Sequence, residues 1–199
     1  MDRVAILLLA AGASARMRGA DKLLEPVDGV PVLRRQAQAA LALHGPVLVT
    51  LPPDRPNRAV ALDGLKVRRV PVPDASQGMA ASIRAGVAAM PKDMAGVMIL
   101  PADMPEIDAC DLCAVRDAFE QAGGTRITRG ASATGVPGHP VLFPACRFPE
   151  LARVHGDIGA REVLKGAQII LVPLPGQHAL TDLDTPEQWA AWRAARMTA

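Results

Sequence analysis

The feature that most limits how this chain can fold is a regular alternation of short apolar runs with amphipathic segments. Val4–Leu9 (VAILLL), Pro46–Leu51 (PVLVTL), Lys66–Val72 (KVRRVPV) and Gly96–Leu100 (GVMIL) read as strands. Between them Val32–Leu43 and Gly78–Met90 read as helices, with a shorter helix at Arg58–Leu62. Within Gly78–Met90 the apolar residues Met79, Ile83 and Val87 recur at four-residue spacing and so share one helix face. Gly96–Leu100 is apolar throughout, as expected of a central strand covered on both sides. Pro71 cannot donate to a ladder, which places Lys66–Val72 near an edge. Downstream, Asp108–Gln121 reads as a helix closed by Gly123-Gly124. Short strands follow at Arg126–Thr128 and Pro140–Phe143, then a helix at Ile158–Leu164, a strand at Gln168–Leu174 and a last helix at Pro186–Arg196. Such alternation predicts parallel pairing through right-handed crossovers. The expected fold is α/β: a single three-layer α/β/α domain over residues 1–199, with a mostly parallel, Rossmann-like sheet and a small β-rich insertion.

Composition agrees. Half of the 199 residues are hydrophobic, yet there are only three Phe, two Trp and no Tyr. Aliphatic side chains and alanine must then fill the core, which suits helices packed on a Val/Ile/Leu sheet. The net charge is +2, and no basic stretch is interleaved with aromatics, so a nucleic-acid partner is not expected. Cys110, Cys113 and Cys146 supply no disulfide framework. The Cys110/Cys113 pair lacks a second pair or histidines at ligand spacing, and reads as two small thiols on a helix. MDRVAILLLAAGASA resembles a secretory leader, but Asp2 offsets Arg3, and the same stretch reads as a buried first strand entering a tight loop. No apolar run approaches the roughly 20 residues of a membrane span. A cytoplasmic location without a membrane partner is expected.

In open α/β sheets the ligand crevice lies beyond the carboxyl ends of the strands. After the first strand comes AAGASARMRGADKLL, Ala10 to Leu24. Its small residues let the backbone approach a polyphosphate, and Arg16 and Lys22 can offset phosphate charge. The loop is neither a G-x-G-x-x-G turn nor a P-loop, and a plain strand-to-helix turn with solvated Arg and Lys is the competing reading. After Gly96–Leu100 comes LPADMP, where Pro101 and Pro105 fix the chain around Asp103, a carboxylate placed to hold a hard cation. TDLDTPEQW puts Asp182 and Asp184 on one face of extended chain, although Asp184 or Thr185 could instead cap the helix that Pro186 opens. PDASQGMAAS, Pro73 to Ser82, offers polar groups for a base or ribose, or else a helix cap alone. GHPVLF (Gly138 to Phe143) and HGDIGAR (His155 to Arg161) mix glycine with charged groups; Asp157 and Arg161 could equally form a local i,i+4 ion pair.

Taken in this order, the motifs resemble the nucleotidyltransferases of the MobA-like group, whose signature loop is L-A-A-G-x-S-x-R-M-G…K. D-A-S-Q-G-M-A-A-S, L-P-A-D-M-P, G-H-P-V-L-F, G-D-I-G-A-R and D-L-D-T-P-E together resemble the molybdenum cofactor cytidylyltransferases among them, from Val4 to Trp192. The resemblance implies that Leu9, Ala10, Ala11, Gly12, Ala13 and Ser14 cradle base and triphosphate, that Arg16 and Lys22 hold phosphates, and that Ser76, Gln77 and Ser82 lie near the nucleoside. It implies Mg²⁺, or Mn²⁺ in its place, on Asp103 with Asp184 ahead of Asp182 as the second ligand. Gly138, His139 and Pro140 would line the acceptor side, with Asp157 and Arg161 behind them. Two departures stand out: Arg18 replaces the glycine usual after R-M, and the late motif is D-L-D-T where guanylyl-transferring relatives often carry asparagines. The latter, with Ala-Ala-Gly in the first loop, favours CTP.

The reaction expected from the resemblance is CMP transfer from CTP to molybdopterin or its molybdenum-bearing form, with pyrophosphate released and Lys22, Arg16 and Asp103 as the catalytic groups. A molybdoenzyme would receive the product. The alternatives are the same chemistry with another triphosphate or a sugar or polyol phosphate acceptor, and a non-catalytic chaperone for the finished cofactor. Lys22 is expected to be at least partly solvated, so that its loss would leave folding normal.

Overall fold

A computed structural model of the chain describes residues 4–156 and 159–197. Its strands are β1 (Val4–Leu9), β2 (Pro26–Val27), β3 (Val30–Pro31), β4 (Val47–Leu51), β5 (Arg68–Pro71), β6 (Gly96–Pro101), β7 (Ile127–Ala131), β8 (Pro137–Pro144) and β9 (Ile169–Pro173). The helices are α1 (Val32–Leu41), α2 (Pro56–Ala61), α3 (Met79–Ala89), α4 (Ala109–Gln121), α5 (Phe148–Leu151), α6 (Arg161–Leu164) and α7 (Pro186–Met197). Seven strands form one sheet in the order β5-β4-β1-β6-β8-β7-β9, and β2 and β3 pair as a separate hairpin.

The alternation of side chains along β1 explains the layers. Val4, Ile6 and Leu8 point into one core with α1, α4 and Trp189 of α7. Ala5 and Leu7 point into the other, with Ile83 of α3, Leu151 of α5 and Val163 of α6. A strand buried on both faces must be apolar at every position, as β1 is. β1 pairs in parallel with β4 on one side and β6 on the other, and β5 extends the parallel set to the edge that Pro71 anticipates. Helix α4 begins with a capping box, in which Asp108 accepts from the Asp111 N–H and Asp111 from the Asp108 N–H.

The β-rich stretch is built into the main sheet. β8 runs antiparallel to both β6 and β7, while β7 and β9 are parallel. The parallel pairing expected of the alternating elements holds, and the antiparallel strand β8 falls in the β-rich insertion expected after them. Only residues 132–136 separate β7 from β8, and a parallel crossover needs about a dozen residues or more, so the chain must turn back as a hairpin. The β2–β3 hairpin turns on Asp28 and Gly29, both at positive φ (52° and 79°), the Asp-Gly pair that such turns favour. The helix read at Ile158–Leu164 is shorter, Arg161–Leu164, and Asp157 and Ile158 lie outside the described residues. Among the described residues no helix is long and apolar enough to cross a membrane. Cys110 is exposed and Cys113 half-buried on α4, and both are free thiols.

Candidate active site

β1 and β6 end side by side, with Leu9 paired to Pro101 and the Ala102 N–H donating to the Leu9 carbonyl. Whatever follows each strand must therefore meet at one place. After β1 the chain forms the glycine loop. Among the described residues, the N–H groups of Ala11, Gly12 and Ala13 have no acceptor, and these residues line a crevice of about 460 Å³. Its walls include Leu9, Arg16, Lys22, Ser76, Ser82 and Asp103. Free N–H groups along a cavity wall are donors of the kind that can bind an anion.

Asp21 accepts from the Leu23 N–H and so caps the short turn Lys22–Leu24, which carries Lys22 into the crevice. There its ammonium donates to Asp103 Oδ2 and, at 2.6 Å, to Asp184 Oδ1. Arg16 takes the other Asp184 oxygen at 2.6 Å. Burial pushes the Lys22 ammonium down, but Asp103 and Asp184 outweigh it and hold its pKa above the ordinary lysine value. Lys22 is only 15% exposed, against the expectation of a partly solvated lysine, because both carboxylates close over it. Asp182 stands nearby with its pKa raised, first by burial and then by the charges of Asp103 and Asp184.

The helix that follows leaves Asp184 free for this role. Thr185 Oγ1 accepts from the Gln188 N–H, while Gln188 Oε1 accepts from the N–H groups of Asp184 and Thr185. That pair caps α7 without the Asp184 carboxylate. Asp74, similarly placed before α3, makes no side-chain cap, and Gly78 opens that helix at φ 87°.

A second crevice of about 340 Å³ shares Arg16, Lys22, Met79, Pro101 and Asp103 with the first and continues to Arg129, Gly138, His139, Arg161 and Asp182. A recess of about 90 Å³ opens behind His139, between Met79, Ile83, Ile99, Val141 and Phe143. Burial, reinforced by Arg129, lowers the His139 pKa to about 4, so the imidazole is neutral at pH 7. Its Nδ1 is buried without a hydrogen-bond partner. Arg129 is held by the Gly138 carbonyl at 2.7 Å, and its pKa is lowered by burial and by Arg161. A Cβ at Gly138 would fall 1.9 Å from the Ala179 carbonyl oxygen, so only glycine permits this approach.

Comparison with known proteins shows the family. Residues 6–172 match the MobA-like NTP transferase domain. The chain belongs to that family. The bifunctional protein GlmU of Leifsonia xyli is 32% identical over 131 residues, 64% of this chain and 27% of that protein. A probable molybdenum cofactor guanylyltransferase of Natronomonas pharaonis is 36% identical over 105 residues, 51% of this chain and 50% of the relative. The chain thus spans between about a quarter and a half of these curated relatives' lengths. Among solved structures, Rv0371c from Mycobacterium tuberculosis superposes with a TM-score of 0.81 at 26% identity, covering 96% of this chain and 97% of that one. The same mycobacterial protein has been solved in complex with manganese, with a TM-score of 0.73 at 23% identity, covering 96% and 97% of the two chains. Fold and family are those of nucleotidyltransferases.

Several residues singled out in the sequence of this MobA-like domain do not line the crevices. The Ala10 N–H is taken by Thr50 Oγ1, and Ala10 is fully buried. Ser14 Oγ lies between Arg58 and Asp21. Gln77 accepts from Arg84, and Pro140 is buried in β8 after a cis peptide bond. Asp157 lies outside the described residues. Met79, read on one helix face with Ile83, does line both crevices and is 42% exposed at their junction. Arg18, which stands where the family pattern has glycine, adopts a left-handed φ of 51°. Sequence reasoning passed over Arg58 and Arg129. Each is a lone basic residue in a short element, and neither bears a local mark of its long-range partners.

Proposed function

We propose that this chain transfers CMP from CTP to molybdopterin or its molybdenum-bearing form and releases pyrophosphate. The observation that carries the reading is the meeting of two crevices at Lys22 and Asp103, with the free N–H groups of the loop on one side and Arg129, His139 and Arg161 on the other. Two substrates can approach one charged junction from opposite sides. The choice of CTP rests on Ala11 in the first loop and on Asp182 and Asp184, where the guanylyl-transferring pattern differs.

The loop N–H groups of Ala11, Gly12 and Ala13 bind triphosphate oxygens, and Ser76 and Ser82 lie along the nucleoside wall. Lys22 and Arg16 turn from the carboxylates to the phosphates and offset charge on the leaving pyrophosphate. The acceptor's ionised phosphate oxygen attacks the CTP α-phosphorus. A P–O bond forms there, and the bond to the β-phosphate breaks. No protein nucleophile is required, so catalysis is positioning and electrostatics. Arg129 and Arg161 receive the acceptor phosphate. Asp103 and Asp184 would hold Mg²⁺, or Mn²⁺, and their fit is supported by Asp103 Oδ1, a buried carboxylate oxygen with no hydrogen-bond partner. When bound, that ion neutralises and orients triphosphate oxygens.

Pyrophosphate release measured with each of the four ribonucleoside triphosphates, with and without molybdopterin, tests the reading. Turnover should require molybdopterin and be fastest with CTP, and Asp103→Asn should lower it by about 10²–10³. A preference for GTP, or release indifferent to molybdopterin, refutes the assignment.

A further inference from the structure

We propose that Arg58, which reaches no substrate, is the positioning residue of the nucleotide loop, and that its buried pair with Asp21 keeps the loop N–H groups turned toward the triphosphate. The inference rests on the reading of that loop as the triphosphate cradle. Arg58 lies on the two-turn helix α2, yet its side chain is fully buried beneath the loop. A guanidinium has five N–H donors, and here each has an acceptor. Nη1 donates to the Ala10 and Gly12 carbonyls at 2.7 and 2.8 Å. Nη2 donates to Ser14 Oγ at 3.0 Å and Asp21 Oδ1 at 2.9 Å, and Nε to Asp21 Oδ2 at 2.7 Å. Burial pushes the Asp21 carboxyl up, but Arg58 outweighs it and holds the group below the usual carboxylate range.

Peptide geometry turns this into an orientation rule. In a trans peptide the C=O of one residue and the N–H of the next point in opposite directions. Drawing the Ala10 and Gly12 carbonyls down to Arg58 therefore turns the Ala11 and Ala13 N–H groups away from it, on the side where the crevice lies. Arg55, from the same helix start, draws down the Ala13 carbonyl at 2.7 Å and so turns the Ser14 N–H likewise. Ser14 itself sits at φ 52°, a conformation uncommon outside glycine, held by its Oγ between Arg58 and Asp21. Asp21 in turn caps the short turn that carries Lys22. One buried ion pair thus sets both the loop donors and the entry of the lysine.

Arg58→Lys is the informative variant, because it keeps a charge opposite Asp21 but has three donors and no planar fork. Phe119→Leu, at a fully buried core position of α4, serves as a destabilised control away from the loop. Two readouts are used with Mg²⁺ present: calorimetric titration with CTP, and hydrogen exchange of the amides of residues 11–20. The variant should fold with a lowered Tm, exchange those amides faster, and lose about 10- to 100-fold in CTP affinity, the range typical of supports that orient a binding group from behind. The KM for acceptor should change much less than CTP affinity, since Arg129, His139 and Arg161 of the second crevice are not tethered to Arg58. The control should bind CTP as wild type does. Unchanged CTP affinity in folded Arg58→Lys overturns the proposal, as does an equal loss in Phe119→Leu or an equal weakening of acceptor and CTP. Should Arg58→Lys not fold, Arg55→Ala, which removes one loop tether from a part-exposed side chain, should show the same two effects in smaller degree; if it binds CTP normally with unchanged exchange, the proposal falls. Absence of any nucleoside triphosphate binding in the wild type would refute the nucleotidyltransfer reading itself, before a variant is made.

Discussion

Replacing Lys22 by Met tests the central charge arrangement most directly. The substitution keeps much of the side-chain volume and removes the one ammonium that touches both Asp103 and Asp184. Breaking a fully buried ion pair costs about 3–5 kcal/mol, because the abandoned partner is left uncompensated. Here Asp103 and Asp184 keep 13% and 15% of their exposure, and Arg16 still holds Asp184, which brings the expected cost down. A loss of about 2–3 kcal/mol is expected, equivalent to roughly 5–10 °C in Tm for a chain of this size. The Lys22 pKa is raised above its ordinary value of 10.5, so its contribution is fully present below that pH and is lost only as pH rises through the still higher folded value. The gap between wild type and variant should therefore be constant from pH 7 to 9. A divalent cation held by Asp103 and Asp184, as proposed, would supply the missing charge, and at about 100 times its Kd it would return about 2.7 kcal/mol. In the wild type the same cation must first displace the ammonium. Thermal melts of both proteins with and without Mg²⁺ or Mn²⁺, in the absence of nucleotide, read this out. The variant should gain more from the metal than the wild type does, and its turnover should fall by about 10²–10³. A variant that melts within a degree of wild type, or a metal shift equal in both, would refute the reasoning.

His139 has a folded pKa of about 4 against an ordinary 6.5, so the unfolded chain binds its proton more readily and stability falls as pH drops from 6.5 through 4. The full loss is about 3 kcal/mol, and His139→Gln should flatten that part of the pH–stability curve in denaturant titrations. Gly138→Ala would set a Cβ against the Ala179 carbonyl, and should cost about 1–3 kcal/mol by calorimetry while displacing the wall of the second crevice. Arg129→Ala and Arg161→Ala should leave CTP affinity within a few-fold and sharply raise the KM for acceptor; equal weakening of both ligands in a titration would contradict the division of the two crevices.

Much of the scaffold was legible in the chain itself. Unbroken apolarity marked β1 as buried and β6 as covered on both faces, and Pro71 marked an edge, because each property acts on its own residue's backbone or burial. Loops beyond the strand ends could be nominated as a site for the same reason: topology alone gathers them. Which residues meet there was another matter. Lys22 finds Asp103 and Asp184 across 81 and 162 positions, and Arg58 finds Asp21 across 37. Whether Asp184 or Thr185 capped α7 was undecided in the sequence, and the packing of Gln188 settled it for Thr185. Likewise β8 reversed the parallel sheet because of a five-residue connection whose significance depends on which strands it joins. Periodicity and capping act within a few residues of one another, so the sequence determined most of the longer elements and their order, though not the β2–β3 hairpin or α5. The pairing of buried charges depends on distances that exist only once the sheet has formed, and so the tertiary structure decided which carboxylate takes which cation and which arginine holds the loop.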